Sequence, residues 1–182
     1  MKNFYITTPI YYVNDKPHIG HAYTSIACDI MARFKRLDGY NVKFLTGTDE
    51  HGQKVEKAAL AQNKTPLEYA DVISKDFRAL TKTLNLSNDD FIRTTEKRHK
   101  IASENLWKKL FDNNHIYLSK YSGWYALRDE AFYSEKEITN GKAPSGAEVT
   151  WVEEESYFFD LSKWQDKLLN FYDENPTFIY PI

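Results

Sequence analysis

Apolar and polar positions in the first 50 residues follow a pattern that predicts a parallel α/β unit. Phe4 to Thr7 is aromatic and β-branched and is interrupted by Pro9, which indicates a short buried strand followed by a loop over residues 8–17. From Ile19 the apolar positions recur every three to four residues, which predicts a helix that buries this face. The apolar positions are Tyr23, Ile26, Ile30, Phe34 and Leu37.

Gly39 and the residues after it complete this unit. Gly39 lies where a left-handed cap would end the helix, and Val42 to Thr46 reads as a second buried strand. The order strand, loop, helix, strand is typical of a parallel sheet with a helical crossover. The predicted fold class is therefore α/β, as in the first half of a Rossmann-like nucleotide-binding domain.

Two further helices and a strand are predicted before residue 115. Thr65 and Glu68 form a capping box around Pro66, and the apolar spacing continues the helix to about Asn85. Residues 90–94 read as a third strand, and residues 95–113 as another helix.

After His115 the pattern changes to short aromatic segments separated by turns, which predicts an antiparallel β region. Ser162 and Gln165 form a second candidate capping box, opening a helix that Pro176 ends. We therefore expect two domains. Residues 1–115 would form half of the Rossmann-like domain, and residues 116–182 an inserted, β-rich α+β module that is truncated at its C-terminal end.

Composition narrows the class of protein. The chain has 182 residues and a formal net charge of -2, so its overall charge gives no sign of a nucleic-acid-binding surface. The single cysteine, Cys28, excludes an internal disulfide framework and is interpreted as a small core residue. Neither a long apolar run nor a signal sequence is present, so we expect a cytoplasmic protein without a membrane partner.

The candidate chemistry lies where the predicted strands end. Ligands of parallel sheets bind at the carboxyl ends of the strands, and residues 8–21 and 46–52 both lie there. His18 and His21 share one face of the first helical turn, whose free N–H groups attract anions. The pattern suggests a polyphosphate site in which Gly20 permits close approach of a base or ribose.

Asp49 has three possible interpretations. It could bind a cationic ligand group at the end of the second strand, or it could cap the following helix. With Glu50 and His51 it could also suggest a metal site, although three adjacent side chains point in different directions. Tyr11 and Tyr12 could either line a pocket or fill the core.

Several separated motifs resemble the methionyl-tRNA synthetase family of class I aminoacyl-tRNA synthetases. Residues 8–21, which include His18-Ile19-Gly20-His21, are similar to the first signature of that family, and residues 44–52 resemble its second conserved block. Three further segments resemble its connecting insertion: Thr94 to Lys100, Gly123 to Tyr125, and Ser156 to Ser162. The resemblance covers essentially the whole chain, in family order.

The resemblance implies a ligase that activates methionine with ATP, taken as its Mg²⁺ complex, and transfers it to tRNA(Met). It implies that His18 and His21 hold the β and γ phosphates and that Gly20 packs under the adenosine. Asp49 would pair with the α-ammonium of methionine, Ile10 would contribute backbone contacts, and Tyr12 would line the side-chain pocket. A ring suits a thioether because sulfur and aromatic groups attract each other.

The chain departs from the family pattern in two ways. Many members carry Cys-x-x-Cys zinc knuckles where this chain has Ala126-Leu127-Arg128-Asp129, so no structural zinc is expected. Packing among Trp124, Tyr125, Phe132 and Trp151 would then hold the module together. The family's second signature, Lys-Met-Ser-Lys-Ser, is also missing. We therefore expect the isolated chain to be weakly active or inactive, and the missing C-terminal part to be a possible partner.

Two other functions stay open. The chain could be a catalytically silent, truncated remnant that at most binds nucleotide or a partner. It could also be a nucleotidylyltransferase that shares the His-x-Gly-His helix start, although the insertion and the block at Thr48 to Gly52 speak against this interpretation.

Overall fold

A computed structural model of the chain describes residues Lys2 to Ile179. The chain divides into two compact units, Met1–Glu104 and Asn105–Ile182. The domain boundary expected at residue 115 stays a prediction, as does the assignment of residues 180–182, which lie outside the described residues, to the second domain.

The sheet of the first unit is parallel throughout, which confirms the predicted α/β class. Strand β3 (Asn41–Asp49) forms its centre, with β1 (Asn3–Thr7) and β2 (Tyr11–Tyr12) on one edge and β4 (Asp90–Arg93) on the other. Strand β2 lies within residues predicted to be a loop and resumes the pairing with β3 after Pro9. The carboxyl ends of β2, β3 and β4 therefore meet at one end of the sheet.

Three helices of this unit connect the strands. They are α1 (Ile19–Leu37), α2 (Gln53–Leu60), which was not predicted, and α3 (Pro66–Thr83). The predicted capping box of α3 is present, with Thr65 Oγ1 accepting the Glu68 N–H and the Glu68 carboxylate accepting the Thr65 N–H. Gly39 follows α1 with a φ of +80°, as expected for a left-handed cap.

The face that α1 buries is opposite to the predicted one. All five apolar positions that defined the predicted face are exposed, and Leu37 is 89% exposed. The buried residues of α1 are Ser25, Asp29 and Ala32. The predicted helix is therefore confirmed, but the prediction of its buried side is wrong.

Asp29 is the reason that a polar face is buried. Its carboxylate accepts hydrogen bonds of 2.6 Å from both the backbone N–H and the hydroxyl of Ser87, and one of 2.7 Å from Nε of Arg33. Burial would raise the pKa of the Asp29 carboxyl, but the hydrogen bonds from Ser87 and Arg33 outweigh it and lower that pKa below its ordinary value. These bonds fix α1 to the loop that precedes β4.

We expect Asp29→Asn to lower the free energy of unfolding by about 2 kcal/mol, because an amide replaces a carboxylate that accepts three hydrogen bonds. The pKa of Asp29 is lower in the folded than in the unfolded state. The stability difference between wild type and Asp29→Asn should therefore be constant above the ordinary pKa of 3.8 and should decrease only at lower pH. Urea unfolding followed by circular dichroism at pH 5 and pH 7 tests both statements. Asp38→Asn, which alters a half-exposed carboxylate 3.9 Å from Lys35, serves as the control and should change stability by less than about 0.5 kcal/mol.

The second unit contains an antiparallel sheet, as predicted. Strand β5 (Ile116–Ala126) pairs with both β6 (Ala131–Tyr133) and β7 (Thr150–Phe159), so β5 and β7 are longer than the short segments predicted after His115. Helix α4 (Lys97–Asp112) contains the division between the units, and α5 (Gln165–Glu174) follows β7. The predicted capping box of α5 is wrong, because Ser162 donates to Asp160 and lies in a 3-10 turn before the helix.

Aromatic rings and small buried residues both pack in this unit. Trp124 and Trp151 do meet edge to face at 5.3 Å, but Trp151 is exposed. The buried cluster is Ala126, Ala143 and Ala147. The expected aromatic packing does occur, because Tyr125 also meets Phe132 at 4.9 Å, and the alanine cluster adds to it.

Residues 126–129 form a hydrogen-bonded turn. Asp129 accepts from the hydroxyls of Ser145 and Tyr133, and Arg128 donates to the Ser145 carbonyl at 2.5 Å. The apolar side chains of Ala126 and Leu127 cannot ligate a metal. Between Lys2 and Ile179, no group of three or more His, Cys, Asp or Glu side chains is arranged to hold a metal ion. In the same described range, none of the helices is long and apolar enough to cross a membrane.

Candidate active site

His18 and His21 cap the first turn of α1 with their own rings. His18 Nδ1 accepts the Gly20 N–H at 3.1 Å, and His21 Nδ1 accepts the His18 N–H at 3.1 Å. The two rings stack with centroids 3.8 Å apart. Because each Nδ1 is an acceptor, each neutral ring carries its proton on Nε2. The pair therefore supplies two Nε2–H donors at the positive end of a helix dipole.

The local environment favours the neutral form of His21. Partial burial lowers the pKa of its imidazole, and the nearby charge of His18 lowers it further. Protonation of Nδ1 would also break the bond to the His18 N–H. At neutral pH His21 is thus a hydrogen-bond donor through Nε2 and not a fixed cation.

Gly20 lets the ring of His18 lie close to the backbone without a steric contact. A Cβ atom at this position would lie 3.0 Å from Cε1 and 3.2 Å from Nδ1 of His18, which is tighter than ordinary packing allows. The backbone at Gly20 is exposed beside the paired rings. Both features agree with a site in which a flat ligand group approaches the main chain.

Tyr11 joins the histidine pair to the sheet. It is 6% exposed, its hydroxyl hydrogen bonds to Ser25 at 2.7 Å and donates to the carbonyl of His21 at 3.3 Å. Its ring stacks on Phe77 and meets the edge of His21 at 4.8 Å. Tyr11 is thus a core residue, one of the two possibilities left open, and it also supports the histidine pair from below.

Asp49 and Tyr12 lie side by side at the end of the sheet. They are paired in register between β3 and β2, and both are half-buried. In-register residues of neighbouring strands point to the same face, so the two side chains share one side of the sheet. Ile10 immediately precedes β2 and is 38% exposed.

Asp49 does not cap the next helix. Helix α2 begins at Gln53 with Gly52 as its N-cap, and no side chain accepts hydrogen bonds there. The helix-cap interpretation of Asp49 is therefore wrong. The first unit contains both the Nε2–H donors of His18 and His21 and the carboxylate of Asp49. Tyr11 links the end of the sheet that carries Asp49 to helix α1, where the two histidines lie.

Glu50 was considered from the sequence only as part of a possible metal site, and its buried pairing with Arg93 was not predicted. Its side chain is fully buried and accepts hydrogen bonds from Nε of Arg93 at 2.7 Å, Thr48 at 2.7 Å and Thr95 at 2.5 Å. Arg93 also pairs with Asp71 of α3 at 2.6 Å. The available signal was a carboxylate that follows one predicted strand together with an arginine within a neighbouring predicted strand.

Comparison with known proteins gives consistent matches. The family model described as "tRNA synthetases class I (M)" matches residues 4–148. The methionine–tRNA ligase of Rickettsia felis is 65% identical over 184 residues, covering 100% of this chain and 36% of the relative. That of Bacillus subtilis is 55% identical over 190 residues, covering 98% of this chain and 29% of the relative.

A solved structure shows the same similarity in three dimensions. Mycobacterium tuberculosis methionyl-tRNA synthetase in complex with methionyl-adenylate superimposes with a TM-score of 0.92 at 50% identity, covering all of this chain and 36% of that one. The chain therefore spans about a third of the length of the proteins it matches.

Proposed function

The chain belongs to the class I (M) tRNA synthetase family, and from this premise we propose that it forms the part of a methionine–tRNA ligase that binds ATP and methionine. The match over residues 4–148 includes both site segments and the first part of the expected connecting module. It favours a ligase over a nucleotidylyltransferase. The resemblance noted from the sequence motifs is thereby confirmed at the level of the family.

The observation that carries the proposal is the pair of Nε2–H donors at the start of α1, linked through Tyr11 to the strand ends. ATP would enter as its Mg²⁺ complex, with its β and γ phosphates on His18 and His21 and its adenosine over Gly20. Such donors act on charge that develops as pyrophosphate leaves. Catalysis then depends on positioning and needs no covalent enzyme intermediate.

The methionine would bind on the face of the sheet that carries Asp49 and Tyr12. The Asp49 carboxylate suits the α-ammonium of the amino acid, and the Tyr12 ring suits the thioether. Ile10 would add contacts from its backbone. The relative of known structure is in complex with methionyl-adenylate, which contains a methionyl and an adenosine part.

The remaining steps extend beyond this chain. Transfer to tRNA(Met), in the cytoplasm, would require the parts that make up the other 64% of the Rickettsia felis relative. They would include a lysine-bearing counterpart to the histidine pair, since Lys-Met-Ser-Lys-Ser does not occur in these 182 residues. A polypeptide of that kind, joined or separate, is the proposed protein partner.

The proposal is tested in a complete ligase, made by replacing the matching 36% of the Rickettsia felis enzyme with this chain. Asp49→Asn should raise the KM for methionine by about 10- to 100-fold, the value of a hydrogen bond to a charged group, while the KM for ATP stays within about twofold. Pyrophosphate exchange measures both constants. Asp38→Asn removes a distant carboxylate on α1 and should change neither.

Two results would count against the proposal. An unchanged KM for methionine in the Asp49→Asn ligase would remove Asp49 from the methionine site. A complete ligase that carries the wild-type chain, folds, and yet shows no methionine-dependent exchange would instead support the catalytically silent remnant.

A further inference from the structure

Glu50 immediately follows the proposed ammonium ligand, yet its side chain is buried and its carboxylate is bound by residues of the protein itself. It is 3% exposed, and its two carboxylate oxygens accept from Arg93, Thr48 and Thr95. A carboxylate removed from water is costly unless each oxygen is paired. This full set of partners therefore ties the backbone at residue 50 to one position.

Because side chains alternate along an extended chain, fixing Glu50 also fixes the side of the sheet to which Asp49 points. Thr48 and Glu50 point to the same side, as their direct 2.7 Å hydrogen bond shows. Asp49, between them, then points to the opposite side. Because both neighbours are fixed, rotation of the backbone that would turn Asp49 away from the Tyr12 side breaks at least one buried bond.

A second anchor acts on the main chain. Thr94 Oγ1 accepts the backbone N–H of Glu50 at 2.9 Å and contacts Nδ1 of His51 at 3.0 Å. Its own N–H donates to the carbonyl of Thr48 at 3.2 Å. The residues on both sides of Asp49 are therefore held by the segment that ends β4.

Arg93 forms an ion pair with the buried carboxylate of Glu50. Its hydrogen bond to Glu50 raises the pKa of the guanidinium, and the bond to Asp71 adds to this against the effect of burial. Because the charge of Glu50 is balanced by the ion pair with Arg93, we take Asp49 as the carboxylate that contacts a ligand.

We propose that Glu50 is a positioning residue that, with Arg93, sets the orientation of Asp49 for the α-ammonium of methionine. This inference rests on the proposed function, because it takes Asp49 as the ammonium ligand. It assigns to Glu50 no contact with substrate. Its effect is on methionine affinity, and the phosphate-binding end of the site is independent of it.

The test compares Glu50→Gln with two other variants in the complete ligase. Glu50→Gln places an amide N–H against donors and should shift the Asp49 carboxylate, raising the KM for methionine about tenfold, less than the roughly 100-fold cost of a 1 Å misplacement. The KM for ATP should stay within about twofold. Asp29→Asn, which is destabilised at a site apart from this segment, should leave both KM values unchanged.

The possible outcomes separate the two hypotheses. If Asp49→Asn raises the KM for methionine and Glu50→Gln does not, the positioning role is overturned and the proposed function stands. If neither variant raises it, Asp49 is not part of the methionine site and the positioning role fails with it, whereas the proposed function fails only if the wild-type complete ligase shows no methionine-dependent exchange. A parallel rise in both KM values for Glu50→Gln would show a merely structural role and would also overturn the inference.

Thr95→Ala keeps the test valid if Glu50→Gln does not fold. It removes a single hydroxyl donor to Glu50 and leaves Arg93 in place. A methionine-specific rise of about threefold is expected, as for a smaller displacement of the same group. Wild-type constants in a folded Thr95→Ala ligase would contradict the proposal.

Discussion

Replacing His21 with alanine is expected to slow methionine-dependent pyrophosphate exchange in the complete ligase by about 100- to 1000-fold. The substitution removes one preorganised Nε2–H donor, and loss of such a donor typically costs about 2.7–4 kcal/mol of transition-state stabilisation. The KM for methionine should change little, since Asp49 and Tyr12 are untouched. Steady-state exchange at saturating methionine measures the effect.

The helix cap must be separated from the chemistry, because His21 also accepts the His18 N–H. Glu68→Ala is the matched control, since Glu68 holds the same third position in the capping box of α3. Both variants should lower the free energy of unfolding by about 1 kcal/mol, but only His21→Ala should slow pyrophosphate exchange. A rate for His21→Ala within about threefold of wild type would remove His21 from the proposed phosphate site.

Helices α1 and α3 of the first unit were predicted from the sequence because the signals that begin and end them come from neighbouring residues. The capping box at Thr65 and the glycine after α1 are decided by neighbouring residues, and both occur as predicted. The buried side of α1 was not predictable in this way. Apolar periodicity shows only which residues lie on one face of a helix and does not show whether that face is buried. The contact that fixes α1 joins Asp29 to Ser87, which is 58 residues away in sequence.

The same distinction applies to the candidate site. His18, Gly20, His21 and Asp49 stand in short motifs whose chemistry can be inferred from spacing and resemblance. Glu50 pairs with Arg93 across 43 residues, and this contact depends on the register that places Thr48 beside Arg93. The short strand β2 depends on that sheet as well, because two residues carry no periodic pattern of their own.

Gly47→Ala is expected to destabilise the first unit by at least about 3 kcal/mol, at the upper end of what overpacking costs. Gly47 is buried in β3 opposite Ile92 of β4. A Cβ atom there would overlap the backbone carbonyl of Ile92 and lie 2.6 Å from its Cγ2. A backbone atom in a paired strand cannot move aside, so β3 and β4 must separate next to the contacts of Glu50. Urea unfolding followed by circular dichroism measures the loss.

Two comparisons show whether the cost comes from this clash. Gly39→Ala has no atom within 4 Å of the new Cβ and should cost only the roughly 1–2 kcal/mol of a left-handed alanine. The four tryptophans all lie after residue 104, so their fluorescence reports on the second unit and should show an unchanged midpoint in Gly47→Ala if the units unfold independently. Because Gly47 lies directly before Thr48 and Asp49, the clash should also abolish methionine binding in any folded ligase that carries the substitution. Equal costs for the two glycine variants would mean that the strands adapt, and that close approach at Gly47 does not hold the end of the sheet.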